Sequence, residues 1–300
     1  MPFPVSLLTP PAGVTFERQF TAEQETDVAA LAAHYNADGY TLDGEALTER
    51  EQMHLSKETL LRFRLSSRDV AHTIERIDAN TRFRREHKVE DWEAMAAAVK
   101  PEMKTGKVFI LGFSKAGQPV MYVFHPRNDW PSAQRTQIPA IFFLERARDL
   151  QAGGVDSIYV FQNYGVPKLG DNQTPAFAKE NMQIVADHYP RNVGKAVLQD
   201  MGFVVRTFIN LIWPFVDSWT KEVTLFDKSS KPQPDIEASL IPKECKGEFD
   251  YTWNVDEYWP VLMAVIKARR TDQEKRFREV GAKVGVQEKL FKVTDVAVTL

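Results

Sequence analysis

The stretch KVFILGFSKAGQPVMYVF, Lys107 to Phe124, decides the fold class. It holds two short apolar runs, Val108-Phe109-Ile110-Leu111 and Val120-Met121-Tyr122-Val123-Phe124, on either side of the turn-like Lys115-Ala116-Gly117-Gln118. Such runs bounded by such a turn read as strands. C-terminal to them, further strands are expected at Ser157–Gln162, Lys195–Leu198 and Val223–Phe226. Helical stretches lie between, at Ala133–Leu150, Pro175–His188 and Phe203–Trp219. Strands alternating with helices of this length give parallel crossovers in an α/β sheet. Glu257 to Val280 reads as a late helix, amphipathic and then strongly charged.

N-terminal to Lys107 the texture is helix and loop. Residues 1–20, with Pro2, Pro4, Pro10 and Pro11, read as an irregular arm. Thr21 and Gln24 form a capping box ahead of a helix running to Tyr35, closed by Asn36-Ala37-Asp38-Gly39. A helical block from Ser56 to His87 breaks near Ser66-Ser67, and Trp92–Val99 is a short helix. The division expected is an arm (1–20), a helical lobe (21–103), an α/β lobe (104–256) and a C-terminal helix and tail (257–300).

Composition excludes several functions. Of 300 residues, 43% are hydrophobic and 26% charged, enough to bury a core. A net charge of -3 argues against a nucleic-acid partner. The single Cys245 excludes an internal disulfide and a cysteine zinc site, and suggests a reducing, cytoplasmic compartment. Met1-Pro2-Phe3-Pro4 has no basic region typical of a signal peptide. Phe203 to Val216 contains Arg206 and Asn210, so it is no membrane span.

Catalytic patterns are absent too. Gly112-Phe113-Ser114-Lys115-Ala116-Gly117 has one residue too many for a hydrolase elbow and no Gly-Lys-Ser/Thr for a phosphate loop. The six histidines are scattered without metal-ligand spacing and read as surface or helix-end residues; no metal and no required cofactor are expected. Asn172-Gln173-Thr174 fits a glycosylation acceptor, read as chance. The basic run from Lys267 to Arg278 reads as a solvated face, with contact to anionic headgroups as the sharper alternative.

Between Phe203 and Trp219, Val204, Phe208, Leu211, Ile212, Phe215 and Trp219 fall on one side at helical spacing. Val205, Ile209, Trp213 and Val216 widen that arc, which must face a core, a ligand or a membrane. Pro214 is expected to kink this helix.

Two groups of motifs resemble one family. Leu60-Leu61-Arg62-Phe63-Arg64-Leu65, Asp69-Val70 and Arg82-Phe83-Arg84-Arg85-Glu86 look like the helical N-terminal lobe of CRAL-TRIO lipid-transfer proteins. Tyr189-Pro190, Pro214-Phe215-Val216-Asp217, Thr220 and Ile241-Pro242-Lys243-Glu244 resemble that family's second half. The resemblance implies a helical lobe beside a mixed, mostly parallel sheet flanked by helices. These would enclose an apolar pocket under a mobile gate helix, as in the yeast-type phosphatidylinositol/phosphatidylcholine transfer proteins. The implied function is a non-enzymatic carrier of one hydrophobic or phospholipid ligand that touches membranes transiently.

The resemblance also names ligand-pocket positions. Where phosphatidylinositol-transferring members carry a glutamate and a lysine, this chain has Arg191 and Val223, keeping only Thr220. Of the family's phosphatidylcholine set, Ser157 is kept, Tyr159 replaces a threonine and Met121 a tyrosine. Incomplete headgroup sets leave room for a sterol, a squalene-like or tocopherol-like molecule, or a haem served by Tyr159, Tyr164 and His125. A ligand-poor scaffold acting on a membrane-associated partner is the other class.

Overall fold

A computed structural model describes residues 3–13, 18–165, 175–229 and 231–298. The side chains of Ser132, Pro175 and Phe215 lie outside this description, and so does Asn172-Gln173-Thr174. Five helices precede the sheet: α1 (Ala22–Tyr35), α2 (Glu49–His54), α3 (Lys57–Arg64), α4 (Val70–Glu86) and α5 (Trp92–Val99). Their starts follow from side chains that satisfy free N–H groups. Thr21 and Thr48 form capping boxes with Gln24 and Glu51, while Ser56, Asp69 and Asp91 cap α3, α4 and α5.

The sheet comprises β1 (Val108–Phe113), β2 (Pro119–Phe124), β3 (Ile158–Asn163), β4 (Val193–Gln199) and β5 (Thr224–Asp227), in that spatial order. β1 and β2 are an antiparallel hairpin, turned where Gly117 takes φ +77°, and the other pairings are parallel. The connections carry α6 (Ile138–Asp149), α7 (Pro175–His188), and then α8 (Phe203–Ile212) with α9 (Ser218–Val223). Since each joins neighbouring parallel strands in one direction, right-handed crossovers put all four helices on the same face. The last helix, α10 (Val255–Glu279), lies along the β1 edge. There the Tyr258 hydroxyl accepts from the Ile110 N–H (2.9 Å) and donates to its carbonyl (3.1 Å), satisfying an edge strand.

Alternation along the paired strands sorts the floor of the molecule. Met121, Val160, Gln162, Ala196, Leu198 and Phe226 share the helix-covered face. Tyr122, Tyr159, Phe161, Lys195 and Val197 share the other, where the Tyr122 hydroxyl donates to the Leu240 carbonyl (3.2 Å).

Apolar packing divides the chain differently from the boundary expected near 103. Val28, Leu31, Leu60, Phe63 and Ile77 form a helical cluster that Val284 completes from the C-terminal tail. Trp92, Met95 and Val99 of α5 belong instead to the sheet's core, as do Phe3 and Leu8 of the N-terminal arm. Val5–Leu8 of the arm form a 3-10 turn with Leu8 buried, so this part of it is packed.

Between the clusters lies a buried ionic network. Arg84 donates to both Glu145 oxygens (2.7 and 3.2 Å), and Arg270 reaches Asp149 (3.1 Å). Lys292 pairs with Glu288 (2.7 Å), and Ser56 donates to Glu288 (2.8 Å). Arg269, at 2% exposure, donates to the carbonyls of Asp149 and Gln151. The basic run of α10 is therefore partly interior, against the solvated face expected from its charge. The guanidinium groups of Arg84, Arg269 and Arg270 survive burial because carboxylates or carbonyls face them. Four histidines stand at helix ends as expected, His34, His54 and His188 in last turns and His87 at a C-cap. His54 is half-buried, meets Asn80 and Arg148, and is held neutral chiefly by burial.

Candidate functional site

The segment expected as one kinked helix is three pieces. α8 ends at Ile212, a 3-10 turn spans Trp213–Phe215, Val216 is extended, and α9 restarts at Ser218. Pro214 has no N–H to continue the α-helical ladder and disfavours helix in the residue before it. The Asp217 carboxylate then accepts from the Thr220 N–H (2.9 Å) and starts a new helix. The proline thus divides the segment instead of bending it.

The break redistributes the expected gate residues. On α8, Ile209 is buried, Val205, Phe208 and Ile212 are half-buried, and Val204 and Leu211 are 74% and 71% exposed. Phe203 is 84% exposed. The apolar arc of α8 is therefore wider than the face it covers. Its inner side packs on Leu198, Met201, Ala196, Tyr164 and Phe226, a small cluster separate from the main core. Trp219 sits on α9 beyond the break, and its indole N–H donates to the Val193 carbonyl (3.0 Å). Val223, expected to open a strand, is instead the last residue of α9.

The headgroup candidates fall into separate places. Arg191 follows the Tyr189-Pro190 turn with φ +54°, and its guanidinium lies 4.5 Å from the Trp219 ring centroid. Its buried Nε has no hydrogen-bond partner among the described residues. Burial, and then the nearby Arg18, lower its proton affinity. Thr220 lies on α9 beside Trp219, and its carbonyl accepts from Thr224 (2.6 Å). Ser157 accepts from Gln118 (2.9 Å). Tyr159 is fully buried on the face away from α8, its hydroxyl unpartnered among the described residues. Met121 faces the helices, so the register separates it from Tyr159.

The helix-covered face carries a polar group at Gln162 that sequence reading did not single out. The Gln162 oxygen accepts from the Tyr164 hydroxyl (2.9 Å) and meets His125 Nε2 (3.2 Å). The His125 and Tyr164 rings stack at 4.2 Å with an 8° interplanar angle. Burial pushes the His125 imidazole down to about 4, leaving it neutral. Tyr164 and His125 are thus together, but Tyr159 is not with them, so the three haem candidates do not converge. Only strand alternation, which puts Gln162 on the same face as Val160, could have pointed to it.

Comparison with known proteins agrees with this architecture. Residues 103–247 match the CRAL/TRIO domain. The chain is 28% identical over 262 residues to the phosphatidylinositol transfer protein PDR17 of Saccharomyces cerevisiae, covering 84% of this chain and 74% of that protein. It is 27% identical over 246 residues to a CRAL-TRIO domain-containing protein of Schizosaccharomyces pombe, covering 81% of this chain but only 24% of that longer one. The crystal structure of Sfh5 superposes with a TM-score of 0.53 at 11% identity, over 69% of this chain and 81% of that one, a likeness of fold.

Proposed function

Because residues 103–247 belong to the CRAL/TRIO domain family, we propose that this chain is a non-enzymatic carrier that holds one lipid between α8 and the sheet and exchanges it at membranes. One observation carries the reading: α8 has more apolar surface than it buries, over a floor of Ala196, Leu198 and Phe226. A lid that trades ligand contacts for bilayer contacts needs apolar residues on both flanks. A tail sheltered beneath it gains about 0.8 kcal/mol per CH₂, so release is favourable only where another apolar phase is at hand. The Pro214 break and the small cluster under α8 leave few contacts to undo when it swings.

No described helix is long and apolar enough to cross a membrane, and the carrier would work from the cytoplasm as a transient visitor to bilayers. Its cargo is a phospholipid or a more apolar molecule, without a resident cofactor. Transfer of fluorescent phosphatidylcholine between vesicles tests the proposal. Acceleration that saturates with protein supports it; no acceleration and no uptake of any vesicle lipid would refute it.

A further inference from the structure

The floor beneath α8 carries Gln162 among Val160, Ala196, Leu198 and Phe226, and the hydrogen bonds there bear on how that side chain is presented. The Gln162 oxygen accepts from the Tyr164 hydroxyl at 2.9 Å and lies 3.2 Å from His125 Nε2, which donates to it in the tautomer protonated at Nε2, so both its lone pairs are then taken. The amide nitrogen must then point elsewhere, and its two N–H donors have no protein partner among the described residues. Gln162 stands opposite Leu198 in the sheet, between Val160 and Tyr164 of its own chain face, and is half-buried. Tyr164 itself packs in the cluster under α8. His125 is neutral, and the charged group acting on it, Lys107, favours that state. On the helix-covered face this leaves an uncharged amide with two donors free of described protein partners, beside Val160, Leu198 and Tyr164.

We propose that the Gln162 amide is a specificity-determining group of the carrier, donating to an uncharged carbonyl oxygen of the lipid, the acyl-ester carbonyl of a glycerolipid. This rests on the carrier reading and deepens it. A donor pair set among Leu198, Val160 and Ala196 suits an oxygen at the junction of headgroup and tails. A ligand without that oxygen leaves both donors buried and unpaired when the lid closes, which costs enough for a tenfold or larger loss of affinity. Tyr164 acts through Gln162 as a positioning residue, since its hydroxyl holds the amide in the presenting orientation.

The test compares uptake, from otherwise identical vesicles, of diacyl phosphatidylcholine and its dialkyl ether analogue, which keeps headgroup and tails but lacks both carbonyls. The wild-type chain is expected to take up the diacyl lipid about tenfold better. Gln162→Leu should erase that preference while still taking up the ether lipid, and Tyr164→Phe should reduce it. Circular dichroism and uptake of the ether lipid report that each variant is folded. Equal uptake of both lipids by the wild type, or a preference that survives Gln162→Leu, overturns this inference alone. Uptake of neither lipid by the wild type overturns the carrier reading, and this inference with it.

Discussion

The Arg191 guanidinium stacks 4.5 Å from the Trp219 ring centroid, tying the Tyr189-Pro190 turn to α9 across the break at Pro214. A cation over an indole contributes roughly 0.5–2 kcal/mol, depending on how dry the site is. Here it also anchors the C-terminal end of the proposed lid. Asp217 and Glu222 are the acidic groups that act on this arginine.

That arginine bears on headgroup choice. With Arg191 and Val223 where the family resemblance implies a glutamate and a lysine, phosphatidylinositol transfer by the native chain is expected to be weak. Each polar headgroup atom left without a partner costs about 1–3 kcal/mol. Arg191→Glu with Val223→Lys should raise phosphatidylinositol transfer between vesicles about tenfold. Strong transfer by the unmodified chain would show that these positions do not govern the headgroup.

The outer face of α8 gives a separate expectation. Phe203→Ser with Leu211→Ser changes two side chains that are 84% and 71% exposed, so the Tm should move by no more than about 2 °C. Transfer between vesicles should nevertheless fall at least about tenfold, because the bilayer-facing flank is lost. Unchanged transfer in the folded variant would remove α8 from membrane contact.

How much of this was legible in the sequence follows from the kind of signal each feature left. The strands around Gly117 and the capping box at Thr21 are local, and the structure places them where local pattern does. The second capping box, Thr48 with Glu51, is the same signal, but no long apolar run follows it to mark a helix. Through Pro214 the apolar period continues on both sides while the helical backbone does not, so periodicity alone reads one helix where there are two. Burial of Arg269 and Arg270 was invisible, since a charged residue declares nothing of its partners and theirs in α6 and the loop after it lie more than a hundred residues away. Among the site candidates, Tyr159 and Met121 are close in register but lie on different faces, a distinction set by the pairing of β2 with β3.

The ionic network predicts its own mutational signature. Arg84→Met leaves Glu145 buried without its bidentate partner and should cost about 3–5 kcal/mol by denaturant unfolding. Arg84→Met with Glu145→Leu should recover part of that loss, because the unpaired Glu145 charge is gone while Glu90 keeps Arg270. If the double variant were as unstable as the single one, the pair would matter through shape and not through charge.

A pH dependence is expected where the tail meets α3. The Glu58 carboxylate accepts from the Glu288 N–H (2.9 Å), and burial, with Glu288 next to it, pushes Glu58 up to about 7. A folded value above the ordinary 4.5 means that the stability Glu58 contributes is present in acid and lost as pH rises through about 7. Glu58→Gln keeps an acceptor and removes this titration. Its Tm relative to the wild type should therefore rise between pH 5 and pH 8 by about 2 °C or more. A constant difference across that range would contradict the assignment.

The most direct test of the carrier account is native mass spectrometry of the purified chain, with organic extraction to identify what it holds. The account predicts one lipid per chain, exchanged for vesicle lipid on incubation with phosphatidylcholine vesicles. A chain that is empty as purified and still empty after that incubation would contradict it.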